Sequence, residues 1–176
     1  MVARDTVIIR DARDDERNAI RDVVLAAYSE YSQLMPGPFW SRYRQHLIET
    51  IDADGAIHRI VAELHGAIVG SVLLFPPATA AYGSAVHELD CPEVRLLAVV
   101  PAARGKGVGE ALMHECARRA RRMGARALGL HTTDVMRAAV RMYERLGYVR
   151  VPEVDFSPAM GIVVKGYRLG LGVPGY

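Results

Sequence analysis

The stretch from Glu93 to Met123 constrains the fold more than any other part of the chain. Glu93 to Val100 is apolar and β-branched enough for a buried strand, and Pro101 ends it. Arg104-Gly105-Lys106-Gly107-Val108-Gly109 follows, and Gly107 to Met123 then carries one apolar stripe at helical spacing: Val108, Leu112, Cys116, Ala120 and Met123. A buried strand that passes through a glycine-rich turn into an amphipathic helix calls for a sheet with helices packed on it. The turn has the makings of an anion cradle. Glycines leave backbone N–H groups unscreened, a helix N-terminus adds donors and partial positive charge, and Arg104 and Lys106 add full charges. A pyrophosphate suits that arrangement. The phosphate loop GxxxxGK followed by Ser or Thr is absent. A GxGxxG fingerprint begun at Gly105 fails at Glu110. The spacing that is present is Arg-x-x-Gly-x-Gly, at Arg104, Gly107 and Gly109.

Around this segment strands and helices are interleaved. Val7-Ile8-Ile9 reads as a strand. Asp14, Asp15 and Glu16 precede Ile20, Val23, Val24 and Ala27, which is acid in a first turn followed by helical spacing. Met35-Pro36-Gly37-Pro38 breaks that helix, and a second runs from Trp40 to Ile51. Arg59 to Leu64 and Ala67 to Phe75 read as a hairpin about His65-Gly66. Ala78 to Cys91 reads as a loop. Arg126 to His131 reads as a strand and Val135 to Leu146 as a helix stopped by Gly147. Tyr148 to Val151 and Ile162 to Leu171 are the last two strands. The order β-α-α-β-β-β-α-β-α-β-β predicts a mixed α/β (α+β) fold with about seven strands and about four helices.

Composition narrows the class. The 176 residues are 51% hydrophobic and 24% charged, which suits a single globular domain over 1–176. No apolar run approaches the roughly 20 residues of a membrane span. Met1-Val2-Ala3-Arg4-Asp5 lacks the apolar stretch of a secretory signal, so a cytoplasmic protein with no membrane partner is expected. Lys+Arg 22 against Asp+Glu 20 leaves a formal charge of +2. That is small for a nucleic-acid binder, and the arginines between Arg118 and Arg126 read as a solvated helix face. Cys91 and Cys116 form no CxxC pair, so free thiols and no metal site are expected.

The segment LAVVPAARGKGVG resembles the acyl-CoA-binding motif of the GNAT superfamily of N-acetyltransferases. A second segment, Ala139-Val140-Arg141-Met142-Tyr143-Glu144-Arg145-Leu146-Gly147-Tyr148, resembles the family's A-x-x-x-Y-E-x-x-G-F motif, with Tyr148 in place of Phe. The order of elements is similar too, so the resemblance covers nearly the whole chain and is strongest from Glu93 to Val151. It implies the GNAT fold, a mixed and mostly antiparallel central sheet flanked by helices. It also implies transfer of an acetyl group from acetyl-CoA directly to a primary amine of a small molecule or peptide. The alternative is a GNAT-fold protein that holds acyl-CoA as a sensor without efficient turnover.

Carried over by position, the resemblance implies coenzyme contacts at Leu97, Ala98 and Val99, where the family's strand is splayed from its neighbour by a bulge. It implies pyrophosphate contacts at Arg104, Gly105, Lys106, Gly107, Val108 and Gly109. Met136 stands where the family often has Asn, and is expected against the pantetheine arm. Tyr143 matches the tyrosine that faces the coenzyme sulfur. It is expected to be the general acid for the departing thiolate. Glu93 lies an even number of residues from Leu97 and Val99, so a regular strand puts the three on one face. The resemblance implies a general base there, acting directly or through water. The alternatives are a solvated strand-end glutamate or a partner for Arg95. His131, beside Thr132 and Thr133, is a hydrogen-bonded structural histidine or an acceptor contact. The family's acceptor pocket is formed largely by its two N-terminal helices and the loop between them. Here that segment holds Tyr28, Tyr31, Met35, Phe39 and Trp40, with Glu30 too little acid for a polycation. Acceptor contacts are therefore expected from Tyr28, Tyr31, Trp40 and His131, and a small amine is the expected acceptor. Exposed C-terminal edge strands could support a homodimer.

Overall fold

The structure is a computed structural model that describes residues 6–77 and 91–172. Its strands are β1 (Ile8–Asp11), β2 (His58–Leu64), β3 (Ala67–Phe75), β4 (Glu93–Val99), β5 (Ala127–Thr133), β6 (Val149–Arg150), β7 (Phe156–Ala159) and β8 (Ile162–Gly170). Its helices are α1 (Arg17–Tyr28), α2 (Gly37–Asp52), α3 (Val108–Arg122) and α4 (Arg137–Arg145). The strands follow the order β1-β2-β3-β4-β5-β8-β6, with β7 on β8. β4 and β5 are parallel, while β1–β2, β5–β8, β6–β8 and β7–β8 are antiparallel. This is the mixed, mostly antiparallel sheet with four helices that the sequence implied. The loop expected over Ala78–Cys91 lies outside the described residues except for Cys91.

Four details differ from the sequence reading, each for a local reason. α1 ends at Tyr28, because the chain tightens into a 3-10 turn over Ser29–Gln33 before it reaches Met35-Pro36-Gly37-Pro38. β7 was not anticipated, because Phe156-Ser157-Pro158-Ala159 contains a proline and no alternation. It pairs on β8 alone, and an edge strand tolerates a residue without an N–H. α2 starts at Gly37, not Trp40, because Pro38 falls in the first turn, where no i−4 bond is lost. Met123 is 43% exposed and lies off the stripe whose other members are buried.

The chain divides into two compact units, Met1–Leu73 with Leu96–Glu115, and Leu74–Arg95 with Cys116–Tyr176. In the first, Ile20, Val23, Val24 and Ala27 form the buried side of α1, and Leu47 and Ile51 that of α2. His65 (φ 51°) and Gly66 (φ 79°) both take left-handed conformations, which gives the β2–β3 hairpin a type I′ turn. Arg10 on β1 donates to both oxygens of Glu16 at 2.8 Å and reaches Glu63 at 2.9 Å. With Arg13 N also donating to Glu16 at 2.7 Å, these bonds hold its carboxyl at about 2, below its ordinary 4.5. A Cβ at Gly70 would lie 2.8 Å from Val108 Cγ1 and 3.2 Å from the Ala98 carbonyl oxygen, so the start of α3 sits on β3 only because no side chain intervenes.

In the second unit β5 pairs with β8 from Ala127–Gly170 to Thr133–Val164, and β8 also carries β6 and β7. Asp155 accepts from Arg150 at 2.9 and 2.6 Å and from Gly166 N at 2.9 Å. The guanidinium holds that carboxyl below its ordinary range. A Cβ at Gly166 would overlap Val154 Cγ2 and lie 3.0 Å from the Val151 carbonyl oxygen.

Two outcomes are expected. Gly166→Ala lowers stability by about 1–3 kcal/mol through overpacking, read as a lower urea midpoint at unchanged slope. Because the Glu16 carboxyl is depressed, its stabilisation is complete above pH 4.5 and is lost as pH falls toward about 2. Glu16→Gln is therefore less stable than the parent at pH 7, and the difference shrinks across that acid window in pH-resolved urea titrations.

Candidate active site

β4 pairs with β5 at Glu93–Gly129 and Val94–Leu130. Leu96 then takes φ +52°, a region that L side chains avoid. The left-handed residue breaks the strand's period of two, so the argument that placed Glu93 on the face of Leu97 and Val99 does not hold. Past it, two strand carbonyls accept from side chains of the same unit. Tyr28 Oη donates to Leu97 O at 3.1 Å, and Arg104 Nε donates to Val99 O at 3.4 Å. Val100 N donates to Val69 O at 2.9 Å.

The glycine-rich turn follows a short 3-10 turn over Pro101–Ala103. Gly105 and Gly107 have φ of +74° and +79°, and a Cβ on either would meet nothing within 4 Å. The backbone conformation demands glycine there, and the space a side chain would fill is open. Arg104, Gly105, Lys106 and Gly107 are exposed, while Val108 at 1% exposure seats the start of α3. The N–H groups of Val108 and Gly109 lie in the first helical turn, which has no i−4 acceptors of its own. Donors, open space and nearby cations fit an anion.

The aromatic residues of the N-terminal segment gather around Tyr43. Its ring is 6.3 Å from Tyr28, 6.2 Å from Phe39 and 6.1 Å from Trp40, and Tyr31 stands edge-on to Tyr28 at 5.8 Å. Burial pushes the Tyr43 phenol up, beyond its ordinary range. Tyr28 is 8% exposed with its hydroxyl committed to Leu97, so it braces the cluster, whereas Tyr31, Phe39 and Trp40 are half-buried. Tyr43 was missed in the sequence. Its spacing from Phe39 and Trp40 on one helix was the available signal.

The remaining expected residues lie in the second unit. Glu93 is 5% exposed, which overturns the solvated alternative. Its Oε2 accepts from Arg95 Nε at 3.1 Å and Nη2 at 2.9 Å, and its Oε1 lies 2.7 Å from His131 Nδ1. Glu93 is thus a partner of Arg95, as one sequence alternative held. The Arg95 guanidinium lies 3.9 Å over the Phe75 ring. His131 Nε2 is 3.1 Å from Val154 O, and since a carbonyl only accepts, Nε2 is the donor. Both His131 nitrogens face protein atoms and its side chain is 2% exposed, which matches the structural alternative. Tyr143 is 7% exposed, with its ring 5.8 Å from that of Tyr148. Met136 Sδ accepts from Thr132 Oγ1 at 3.6 Å. Among the described residues, no group of three His, Cys, Asp or Glu side chains is placed to hold a metal ion, and no helix is long and apolar enough to cross a membrane.

Residues 21–148 match the acetyltransferase (GNAT) family. The chain belongs to that family. An uncharacterized N-acetyltransferase of Methanocaldococcus jannaschii is 25% identical over 144 residues, 81% of this chain and 61% of that protein. An uncharacterized N-acetyltransferase of Escherichia coli is 33% identical over 91 residues, 52% of this chain and 50% of its own length. The chain thus spans between half and three fifths of the curated relatives it matches. Among solved structures, a GNAT family acetyltransferase from Brucella melitensis in complex with acetyl-CoA superposes with a TM-score of 0.58 at 23% identity, over 95% of this chain and 89% of that one.

Removing one partner of a buried ion pair strands the other charge. Arg95→Ala is expected to cost about 3–5 kcal/mol of stability, measured by urea denaturation. A loss below about 1 kcal/mol, the value of a solvated pair, would contradict the buried arrangement.

Proposed function

We propose that the chain is a single acetyltransferase domain that moves an acetyl group from acetyl-CoA directly to the primary amine of a small molecule or peptide. The observation that carries this reading is the turn at Gly105 and Gly107, where positive φ values and open space leave backbone donors unscreened at the start of α3. Family membership supplies the reaction class. Backbone N–H groups from Gly105 to Gly109, with Lys106 beside them, would hold the pyrophosphate. The backbone of Leu97, Ala98 and Val99, past the break at Leu96, would hold the pantetheine arm. The coenzyme supplies an activated acetyl thioester when bound.

The chain's own groups then have separate tasks. The Tyr143 hydroxyl is the proton source for the departing sulfur. Glu93 takes the amine proton through water, since both its oxygens already have partners. Acetyl-CoA chemistry and two cysteines that form no disulfide suit a reducing cytoplasm. On the acceptor side, Tyr31, Phe39, Trp40 and Tyr43 offer rings, and the Glu30 carboxylate is engaged by Arg104 at 2.9 Å. That lining favours an amine on an apolar body over a polycation.

The test is thiol release from acetyl-CoA with a panel of arylalkylamines, amino acids, peptides, polyamines and aminoglycosides, against acceptor-free controls. Release with the arylalkylamines is expected. Coenzyme binding without release for any amine would point to a sensor, and no binding would overturn the reading. Gly107→Glu, which puts a carboxylate in the anion's place, should abolish acetyl-CoA binding by calorimetry. Tyr143→Phe should lower kcat on the order of 10- to 100-fold with little change in coenzyme affinity. Equal turnover would remove Tyr143 as the acid.

A further inference from the structure

Arg104 stands in the glycine-rich turn, where the family resemblance gives it to the coenzyme. Its side chain is engaged elsewhere in the same unit. Nη1 pairs with Glu30 Oε2 at 2.9 Å, Nη2 donates to Ala27 O at 3.2 Å, and Nε donates to Val99 O at 3.4 Å. One guanidinium thereby joins the last turn of α1, the 3-10 turn Ser29–Gln33 and the end of β4. A cation at a helix C-terminus also complements the helix dipole. Tyr28, next in chain to Ala27, makes a second tie to β4 through Leu97 O at 3.1 Å. Tyr31 stands edge-on to Tyr28 at 5.8 Å, and its phenol is pushed up by burial and by the charge of Glu30, the carboxylate that Arg104 holds.

We propose that Arg104 is an acceptor-positioning residue, whose guanidinium fixes the Tyr28–Tyr31 ring pair beside the carbonyls of Leu97 and Val99, so that its loss weakens amine binding and spares coenzyme binding. The inference rests on the acetyltransferase reading of this site. The Arg104–Glu30 pair is 40% and 46% exposed, and such a pair alone contributes little. The two carbonyl contacts turn it into a joint. A planar fork with five donors can serve a carboxylate and two carbonyls at once, whereas a lysine offers a point charge on a flexible stem.

The experiment measures acetyl-CoA Kd by calorimetry and the KM of the best amine by thiol release, for the parent chain, Arg104→Gln, Arg104→Lys, Glu30→Ala and the Arg104→Gln/Glu30→Ala double variant. Hydrogen exchange at Ser29–Leu34 is followed in parallel. Amine KM should rise roughly fivefold to tenfold in each single variant while acetyl-CoA Kd stays within about twofold, a change of about 1 kcal/mol or more against less than half that. Arg104→Lys should fail to rescue. The double variant should be no worse than the worse single variant, because both break one joint. Exchange at Ser29–Leu34 should quicken. A roughly tenfold loss of coenzyme affinity in Arg104→Gln, restored by Lys and absent from Glu30→Ala, would make Arg104 a coenzyme ligand and overturn the proposal. So would an unchanged amine KM in both single variants. Should the Arg104 variants fail to fold, Glu30→Ala at an exposed carboxylate carries the same test. If the parent chain binds no acetyl-CoA, the acetyltransferase reading itself fails, and exchange alone decides the joint, unchanged protection overturning it.

Discussion

The conformation of Leu96 decides what β4 can do. An L side chain at φ +52° costs about 1–2 kcal/mol, so the surrounding structure must hold it there. On one side of it, Glu93 and Val94 pair as ordinary parallel strand. On the other, the strand is held by Val100 N on Val69 O and by Tyr28 on Leu97 O. One strand is thereby ordinary sheet at its start and tied by side chains and a single backbone bond at its end. A regular strand would have spent all of its carbonyls and amides on neighbours. The local strain is what turns the carbonyls of Leu97 and Val99 toward side chains of α1 and the glycine-rich turn.

Buried charge fixes the other end of the same strand. Glu93 and Arg95 lie two residues apart with side-chain exposures of 7% and 5%, and a buried ion pair offsets its desolvation only when its remaining donors and acceptors are satisfied. Here His131 takes the second carboxylate oxygen and Phe75 lies under the guanidinium. The arrangement bears on the catalytic role proposed for Glu93. A carboxylate held from two sides cannot swing toward a substrate, so a proton would reach it through solvent, not by direct contact. The same residue can be an anchor of the fold and a distant base, but the anchor role sets the terms.

Much of this was legible in the sequence, and the gaps have physical causes. The helix with the strongest stripe, α3, was placed to within one residue at each end, whereas α1 gives way at Tyr28 to a 3-10 turn ahead of the expected break at Met35-Pro36-Gly37-Pro38. The turn was readable because glycine at 105 and 107 leaves a compositional trace. The break at Leu96 was not, since leucine carries no preference for positive φ and its conformation is imposed by tertiary contacts. Glu93 was readable as a candidate but its burial was not. Nothing in a strand-end glutamate tells whether an arginine two residues on and a histidine 38 residues on will close around it. β7 escaped because proline masks an edge strand. Glycines pose the same limit: Gly105 and Gly107 are required by conformation, Gly70 and Gly166 by close approach. These demands look alike in sequence.

Arginine shows how composition becomes structure. The chain has 20 Arg and 2 Lys, a bias that suits GC-rich codons and says nothing of function by itself. Within the fold, however, the key polar joints are forks. Arg10 spans Glu16 and Glu63, Arg95 grips one oxygen of Glu93 twice, and Arg150 takes both oxygens of Asp155. Arg104 spans a carboxylate and two carbonyls. Arg10 and Arg104 join elements distant in sequence, Arg150 pins a turn and Arg95 braces a neighbour on its own strand, and each uses the fixed planar geometry that a lysine lacks. A codon bias that supplied arginine everywhere would leave most of it on the surface, as the exposed Arg118, Arg121 and Arg122 illustrate. Where a guanidinium instead has its donors taken up by acceptors from separate elements, replacement by lysine removes geometry while keeping charge. That separates the arginines the fold depends on from those it merely carries.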